Sequence, residues 1–177
     1  MLTKADLRRK LLQNREAQPD KDRRILANLL ACKGFAEARI ILTYVSTERE
    51  IDTRGLISHC LEVGKKVAVP RTGVHTIAFY EITSLDELEQ GRFGIAEPKG
   101  HCKSVQISRE NARAFCVVPA LACSADGFRL GYGKGYYDRF LRTFSGTTAA
   151  LCYSEKVMEL PVEPHDVAVN LVITELL

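Results

Sequence analysis

Residues 129–139 read Arg-Leu-Gly-Tyr-Gly-Lys-Gly-Tyr-Tyr-Asp-Arg, the densest group of chemically useful side chains in the sequence. Gly131, Gly133 and Gly135 alternate with Tyr132 and Lys134, flanked by Arg129 and Arg139. Glycine lets a backbone approach a ligand closely and adopt positive φ. Successive N–H groups in such a run form an anion nest, and a helix starting near Tyr136 turns its positive end to the same place. Lys134 and Arg129 add charge suited to polyphosphate. A tight strand-to-helix turn would account for glycines alone. Three alternating glycines with interleaved Lys and Arg exceed what a turn requires, and phosphate binding is favoured. The run is not a Walker motif, because Phe128 stands where its first Gly belongs and Gly135, rather than Ser or Thr, follows Lys134. Nor is it Gly-x-Gly-x-x-Gly, because Tyr136 replaces the third Gly.

Other residues are ambiguous on spacing alone. Asp138, one turn into that helix, either complements the helix dipole or holds Mg²⁺ beside phosphates. Lys4, Arg8 and Arg15 fall within about 40° of one another on a helix and border Leu7 and Leu11. Taken alone, that stripe reads as a solvated basic face. Glu48 and Glu50 read as surface charges, and Asp166, in Pro161-Val162-Glu163-Pro164-His165-Asp166, as a turn residue. Tyr136 and Tyr137 either anchor the core or stack on a flat ring. His59, His75, His101 and His165 have no evident partner for base catalysis.

Alternating helices and apolar runs must position these groups. Helices are expected from Thr3 to about Gln18, with Thr3 and Asp6 as a capping box and Pro19 as the stop, and from Asp20 to Lys33, ended by Gly34. Arg39–Val45 is a short continuous apolar run, the pattern of a strand buried on both faces. Asp52 or Thr53 caps a third helix that Gly64 ends. Strands follow at Lys66–Pro70 and Thr76–Tyr80, then a short helix from Ser84 through Glu89. Further strands are expected at Ala114–Val118, Thr148–Tyr153 and Val167–Ile173, with a helix from about Tyr136 to Thr143. The pattern predicts an α/β fold: an open, mostly parallel sheet flanked by helices on both faces, as a single domain over residues 1–177. In such sheets ligands bind beyond the carboxyl ends of the strands. Ser46–Asp52, Pro119–Asp138 and Ser154–Asp166 fall there. Gly91–Arg109 is expected to be a mobile loop region.

The 177 residues carry a net charge of +3, which is low for a nucleic-acid binder. Six cysteines form no Cys-x-x-Cys pair, and Cys32, Cys60, Cys116 and Cys152, which fall in apolar stretches, read as core thiols in a reducing compartment. No membrane span or signal peptide is expected, so the cytoplasm is the expected location.

Taken together, these residues resemble the 5-formyltetrahydrofolate cyclo-ligase family, also called methenyltetrahydrofolate synthetase. The match is most specific from Arg129 to Leu141 and extends over nearly the whole chain. Lys4 with Leu7-Arg8 is similar to the family's N-terminal Lys-x-x-Leu-Arg. Tyr44 through Glu50 with Thr53, Val69-Pro70-Arg71, Phe79-Tyr80, Gly94-Ile95-x-Glu97-Pro98 and Val118-Pro119 recur in the family's order. Cys123-Ser124 departs from the Phe-Asp or Val-Asp of many members.

The resemblance implies ATP contacts at Lys4, Ala5, Asp6, Leu7 and Arg8, and at Arg129, Leu130, Gly131, Tyr132, Gly133, Lys134, Gly135, Tyr136 and Tyr137. It implies folate contacts at Val45, Glu50, Tyr132, Gly133, Lys134, Gly135 and Tyr136, and Mg²⁺ on Asp138 and Asp166. Lys4, Arg129, Lys134 and Tyr136 become the expected catalytic residues, with Tyr136 or Tyr137 lining the formyl pocket. The implied reaction is ATP-dependent cyclisation of 5-formyltetrahydrofolate to 5,10-methenyltetrahydrofolate. The expected partners are these two substrates, with no nucleic acid or membrane, and the expected state is a monomer or weak homo-oligomer. The alternatives are a non-catalytic nucleotide- or RNA-binding relative, which would have lost these ligands, and a sugar-phosphate isomerase, which needs a pocket base and no ATP.

Overall fold

The computed structural model describes residues 2–107 and 113–176, so Met1 and the last two residues of the expected mobile loop, Ser108 and Arg109, lie outside the described residues. In chain order the elements are α1 (Lys4–Gln13), α2 (Pro19–Ala31), α3 (Lys33–Glu37), β1 (Ile40–Thr43), α4 (Arg54–Glu62), β2 (Lys66–Thr72), β3 (Ile77–Ile82), β4 (Leu88–Gln90), β5 (Ala96–Pro98), β6 (Ala114–Val118), β7 (Ala122–Cys123), β8 (Arg129–Leu130), α5 (Tyr136–Leu141), β9 (Thr147–Leu151) and β10 (Leu171–Ile173). Short 3-10 turns occupy Leu85–Glu87, Arg92–Gly94 and Ser154–Lys156.

Six strands form one sheet in the order β10-β9-β6-β1-β2-β3, parallel except for the antiparallel edge strand β3. Successive strand residues point to opposite faces, and the two cores follow that alternation. Ile41, Val67, Val69, Phe115, Val117 and Leu151 pack with Ile25, Leu29, Phe35, Leu56 and Ile57 from α2, α3 and α4. Leu42, Ala68, Cys116, Val118 and Ala150 pack on the other face with Leu141, Phe140 and Tyr137 from α5. The expected open α/β sheet with helices on both faces is therefore the fold observed. The chain runs from β1 to β2 on one side and from β6 to β9 on the other. The junction of β1 and β6 is thus a topological switch point, where a crevice opens outside the strands' carboxyl ends.

A third apolar cluster joins Leu7 and Leu11 of α1 to Leu121, Ala122 and Leu130 of the β7–β8 hairpin. It pins α1 beside the segment that follows β8. The capping box is present: Thr3 Oγ1 accepts from Asp6 N at 3.2 Å, and Asp6 Oδ2 accepts from Thr3 N at 3.3 Å.

Several boundaries differ from expectation. α1 stops at Gln13, and Pro19 opens α2 instead of closing α1, since a proline's missing N–H is harmless in a first turn. Gly34 ends nothing. It lies inside α3, because extended Cys32 has already broken α2 (φ −67°, ψ 125°). Val167–Asn170 does not join the last strand. Val167 and Val169 bond instead to Asp138 and Gly127, at 3.1 and 2.9 Å, while Asn170 Oδ1 accepts from Thr148 N at 2.8 Å. The described part of Gly91–Arg109 holds more regular structure than expected, for it contains β5, which pairs with β4 just before it. All six cysteines are free, five of them buried. Among the described residues no helix is long and apolar enough to cross a membrane.

Candidate active site

A cleft of about 480 Å³ opens at the switch point. Its floor includes Tyr44 and Val45, just past β1, and Pro119, just past β6. Its walls come from α1, the segment after β8, the start of α5, the β2–β3 edge and the turn before β5.

The glycine run is bent as its composition requires. Gly133 has φ 93° and Gly135 φ 70°, backbone that an L side chain rarely adopts. Arg8 Nε donates to Gly131 O at 2.8 Å, so α1 is latched onto the run. A Cβ on Gly133 would stand 3.4 Å from the Arg8 guanidinium. From the other side, Arg139 donates to Lys134 O at 2.8 Å and to His75 O at 2.6 Å.

Charges in the cleft are largely paired. Lys4 Nζ lies 2.5 Å from Asp166 Oδ2 and 2.8 Å from Glu163 Oε2. Burial opposes the charged form of Lys4, but these two carboxylates outweigh it and raise its pKa. Asp166 is lowered in turn: burial works against that, and Lys4 and the Glu163 N–H overcome it. Arg129 donates to Asp138 Oδ1 at 3.2 Å and to Val167 O at 2.8 Å, and its side chain is only 3% exposed. Buried Glu50 accepts from Thr47 N at 2.8 Å and from the Tyr132 hydroxyl, with Arg15 3.5 Å away. Burial and then the Glu50 charge push the Tyr132 phenol well up.

The two neighbouring tyrosines are used differently. Tyr136 donates to Gly73 O at 3.2 Å and Val74 O at 3.3 Å, tying the run to the β2–β3 turn. Tyr137 lines the cleft, and its buried hydroxyl has no hydrogen-bond partner among the described residues. Burial above all, then nearby Cys116 and Glu50, raises its pKa well above that of a free phenol.

The cleft gathers Lys4, Arg8, Val45, Glu50, Arg129, Gly131–Asp138 and Asp166. Ala5, Asp6, Leu7 and Leu130 do not line it. Asp6 is spent on the α1 cap, and Leu7 and Leu130 pack in the third cluster. Spacing missed Arg15, Arg49, Phe93, Glu97 and Glu163 as cleft residues. Arg15 was visible in the helical stripe, and Phe93 stands beside the Gly94-Ile95-x-Glu97-Pro98 signature. Phe93 is notable: it has φ 59°, the only positive φ outside glycine among the described residues, and it is 64% exposed. Lys134 Nζ sits 5.5 Å from its ring centroid.

The donor set suits a hard cation. Both contacts to Asp138 fall on Oδ1, which leaves Oδ2 for a metal. Asp166, Glu163 and His165 each offer a ligand atom within 4.8 Å of the others, a group that does not include Asp138. Carboxylate oxygens from Asp138 and Asp166 bordering one cleft fit Mg²⁺, which takes one or two carboxylates and completes its shell with water and phosphate oxygens.

An open α/β sheet with a glycine-lined, arginine- and lysine-bordered cleft at its switch point defines an α/β protein built around an anion-suited site. Comparison with known proteins makes this specific. The model of the 5-formyltetrahydrofolate cyclo-ligase family matches residues 1–175, and the chain belongs to that family. It is 31% identical over 185 residues to the 5-formyltetrahydrofolate cyclo-ligase of Mycolicibacterium smegmatis, covering 97% of this chain and 93% of the relative. The NMR structure of Aquifex aeolicus 5,10-methenyltetrahydrofolate synthetase superposes with a TM-score of 0.83 at 30% identity, covering 98% of this chain and 90% of that one. The Mycoplasma pneumoniae 5,10-methenyltetrahydrofolate synthetase shares the fold, with a TM-score of 0.77 at 20% identity over 98% of this chain and 99% of that one.

Proposed function

We propose that the protein cyclises 5-formyltetrahydrofolate to 5,10-methenyltetrahydrofolate while converting ATP to ADP and phosphate. The observation that carries this reading is the convergence of Lys4, Arg8, Lys134, the left-handed glycines and buried Glu50 on one cleft. A formyl oxygen is a poor leaving group. Its attack on the γ-phosphate makes it phosphate, a good one, and the neighbouring N10 then closes the five-membered ring. Such chemistry asks the protein chiefly for positioning and charge neutralisation.

In this reading Arg8, Lys134 and the N–H groups of Gly131–Gly135 hold the nucleotide phosphates, with Lys4 and Arg129 beside them. Glu50 faces the pterin: a carboxylate has about four acceptor sites, so it keeps capacity for ring N–H groups beyond its bonds to Thr47 and Tyr132. Val45 supports the ring from the floor. Phe93 offers a flat face to a substrate ring, and Tyr137, rather than the expected Tyr136, offers the free hydroxyl. Among the described residues six cationic side chains line the cleft against five carboxylates, too small an excess to neutralise a polyphosphate. Mg²⁺ held by Asp138 and Asp166 supplies the missing positive charge when bound. We place the protein in the cytoplasm, where six free thiols remain reduced.

The test is direct. Purified protein mixed with 5-formyltetrahydrofolate, Mg²⁺ and ATP should generate the methenyl chromophore, and folded protein that gives no ATP-dependent absorbance rejects the reading. A non-catalytic nucleotide-binding relative would bind ATP without that signal.

A further inference from the structure

Away from the cleft, Glu87, His101 and Cys102 converge so that one ligand atom from each lies within 4.8 Å of the others. We propose that they form a binding site for one borderline divalent cation of the zinc class. The site is independent of the folate chemistry. Glu87 ends the 3-10 turn before β4, and His101 and Cys102 follow β5, so the three residues sit at one end of the β4–β5 ribbon.

Both halves of the site are fixed by bonds that do not involve an ion. Thr83 N and Oγ1 donate to Glu87 Oε2 at 2.6 and 3.1 Å, which leaves Oε1 toward His101 Nε2, 3.0 Å away. Lys99 N donates to Glu87 O at 2.8 Å, and Cys102 N donates to Lys99 O at 3.0 Å. The turn carrying His101 and Cys102 is thereby tied to the residue that supplies the carboxylate. Zinc binds sulfur, imidazole nitrogen and carboxylate oxygen at about 2.0–2.3 Å in tetrahedral geometry, which places ligand atoms roughly 3.3–3.8 Å apart. The observed spread needs only a small contraction.

The donor set also selects the ion. A thiolate and an imidazole disfavour Mg²⁺ and Ca²⁺, which prefer oxygen throughout. One thiolate plus one carboxylate balances a divalent charge, and binding releases the Cys102 proton to solvent. Cys102 is nine-tenths buried against the core while His101 is exposed, so an ion can reach the site from the surface and a water can take the fourth position.

Such an ion acts as a staple. The ribbon it closes carries Phe93, Ile95 and Glu97 into the cleft wall, where Glu97 Oε1 accepts from Thr72 N at 2.9 Å. The metal holds that wall from behind and touches no substrate.

Cobalt(II) is a suitable probe because its thiolate charge-transfer and tetrahedral ligand-field bands report sulfur ligation. Titrating chelator-stripped protein should give both bands at one equivalent, and excess Mg²⁺ should leave them unchanged. Cys102→Ser should abolish the charge-transfer band. His101→Ala, a change at an exposed position that leaves the core intact, should weaken Co²⁺ binding at least tenfold and remove the rise in Tm that one equivalent of Zn²⁺ gives the parent protein. Absence of a charge-transfer band in the parent, its persistence in Cys102→Ser, or unchanged affinity in His101→Ala would each overturn the site, whatever the outcome of the methenyl assay.

Discussion

Replacing Tyr137 with Phe removes one oxygen that the free protein does not use. The hydroxyl is enclosed and unpartnered, while the ring meets Phe79 edge-on at 6.5 Å and packs in the core under α5. Its raised pKa keeps it a neutral donor at physiological pH. Leaving a buried hydroxyl unpaired costs about 1–3 kcal/mol, and a phenyl ring fills the same space without that cost. Tyr137→Phe should therefore stabilise the ligand-free protein by about 1 kcal/mol, roughly 2–4 °C in Tm for a chain of this length. Catalysis should move the other way. A bond from this hydroxyl to a charged substrate oxygen is worth about 1.5–3 kcal/mol, so kcat/KM should fall roughly 10- to 150-fold. Tyr136→Phe is the control. Its hydroxyl holds the Gly73 and Val74 carbonyls, so its loss should cost about 0.5–1.5 kcal/mol of stability. Denaturant midpoints and the initial rate of methenyl absorbance read both quantities. If Tyr137→Phe is the less stable variant, or if its kcat/KM matches the parent's, the hydroxyl is not a substrate donor.

Three further changes probe the rest of the molecule. Asp138→Asn should raise the Mg²⁺ concentration needed for half-maximal rate, and an unaltered titration would remove Asp138 as a metal ligand. Because Arg129 is nearly buried, the same change should cost about 1–3 kcal/mol of stability. Phe93→Gly should relieve the strain of φ 59° and leave stability equal or higher. It should also raise the KM of one substrate about 2- to 10-fold through lost ring contact, and two unchanged KM values would count against stacking. Glu155 is one of the carboxylates behind the pH dependence, held well below the usual range, to about 2. Burial works against that value, and the bonds from Lys21 at 2.7 Å and Gln18 at 2.9 Å outweigh it. A depressed carboxylate contributes stability that is present above its unfolded pKa of about 4.3 and lost as pH falls through the folded value. Urea midpoints should therefore drop from about pH 4.5 toward pH 2, and Glu155→Gln should show a shallower drop; identical slopes would exclude Glu155 as a source of the acid sensitivity.

Local chemistry made much of the fold legible. The apolar runs around Ile41 and Phe115 announced central parallel strands because both of their faces are buried, and Thr3 with Asp6 announced the start of α1. Failures occurred where one residue type serves two opposite purposes. Pro19 terminates or initiates a helix with equal ease, and only the tertiary path of residues 14–18 decides. Gly34 looked like a helix stop, yet the break came at Cys32, whose extended backbone has no compositional mark. Val167–Asn170 carries strand composition, but the carbonyl of Gly127 and the carboxylate of Asp138 claim its N–H groups. In the site, the glycine run was readable because positive φ leaves a trace in composition. Glu50 and Lys4 were not readable from spacing, since their significance lies in burial and in partners that the chain reaches only after folding. Their positions came from resemblance alone.

Most of the cationic side chains of the cleft are already paired within the protein. Lys4 is held by Asp166 and Glu163, Arg129 by Asp138, Arg15 by Glu50, and Arg8 by the Gly131 carbonyl. On the proposed reading an incoming polyphosphate would compete with carboxylates already in place, and each exchange would strand an acidic group unless something neutralised it. Asp138 and Asp166 are two of the groups so released, and they would be the residues to hold a divalent cation, which would supply the compensating positive charge. Internal pairing keeps the cationic side chains extended and ordered before substrate arrives, which lowers the ordering cost of binding. Lys134, exposed above Phe93 and with no ion pair among the described residues, is the cleft lysine that on the proposed reading would engage a phosphate first.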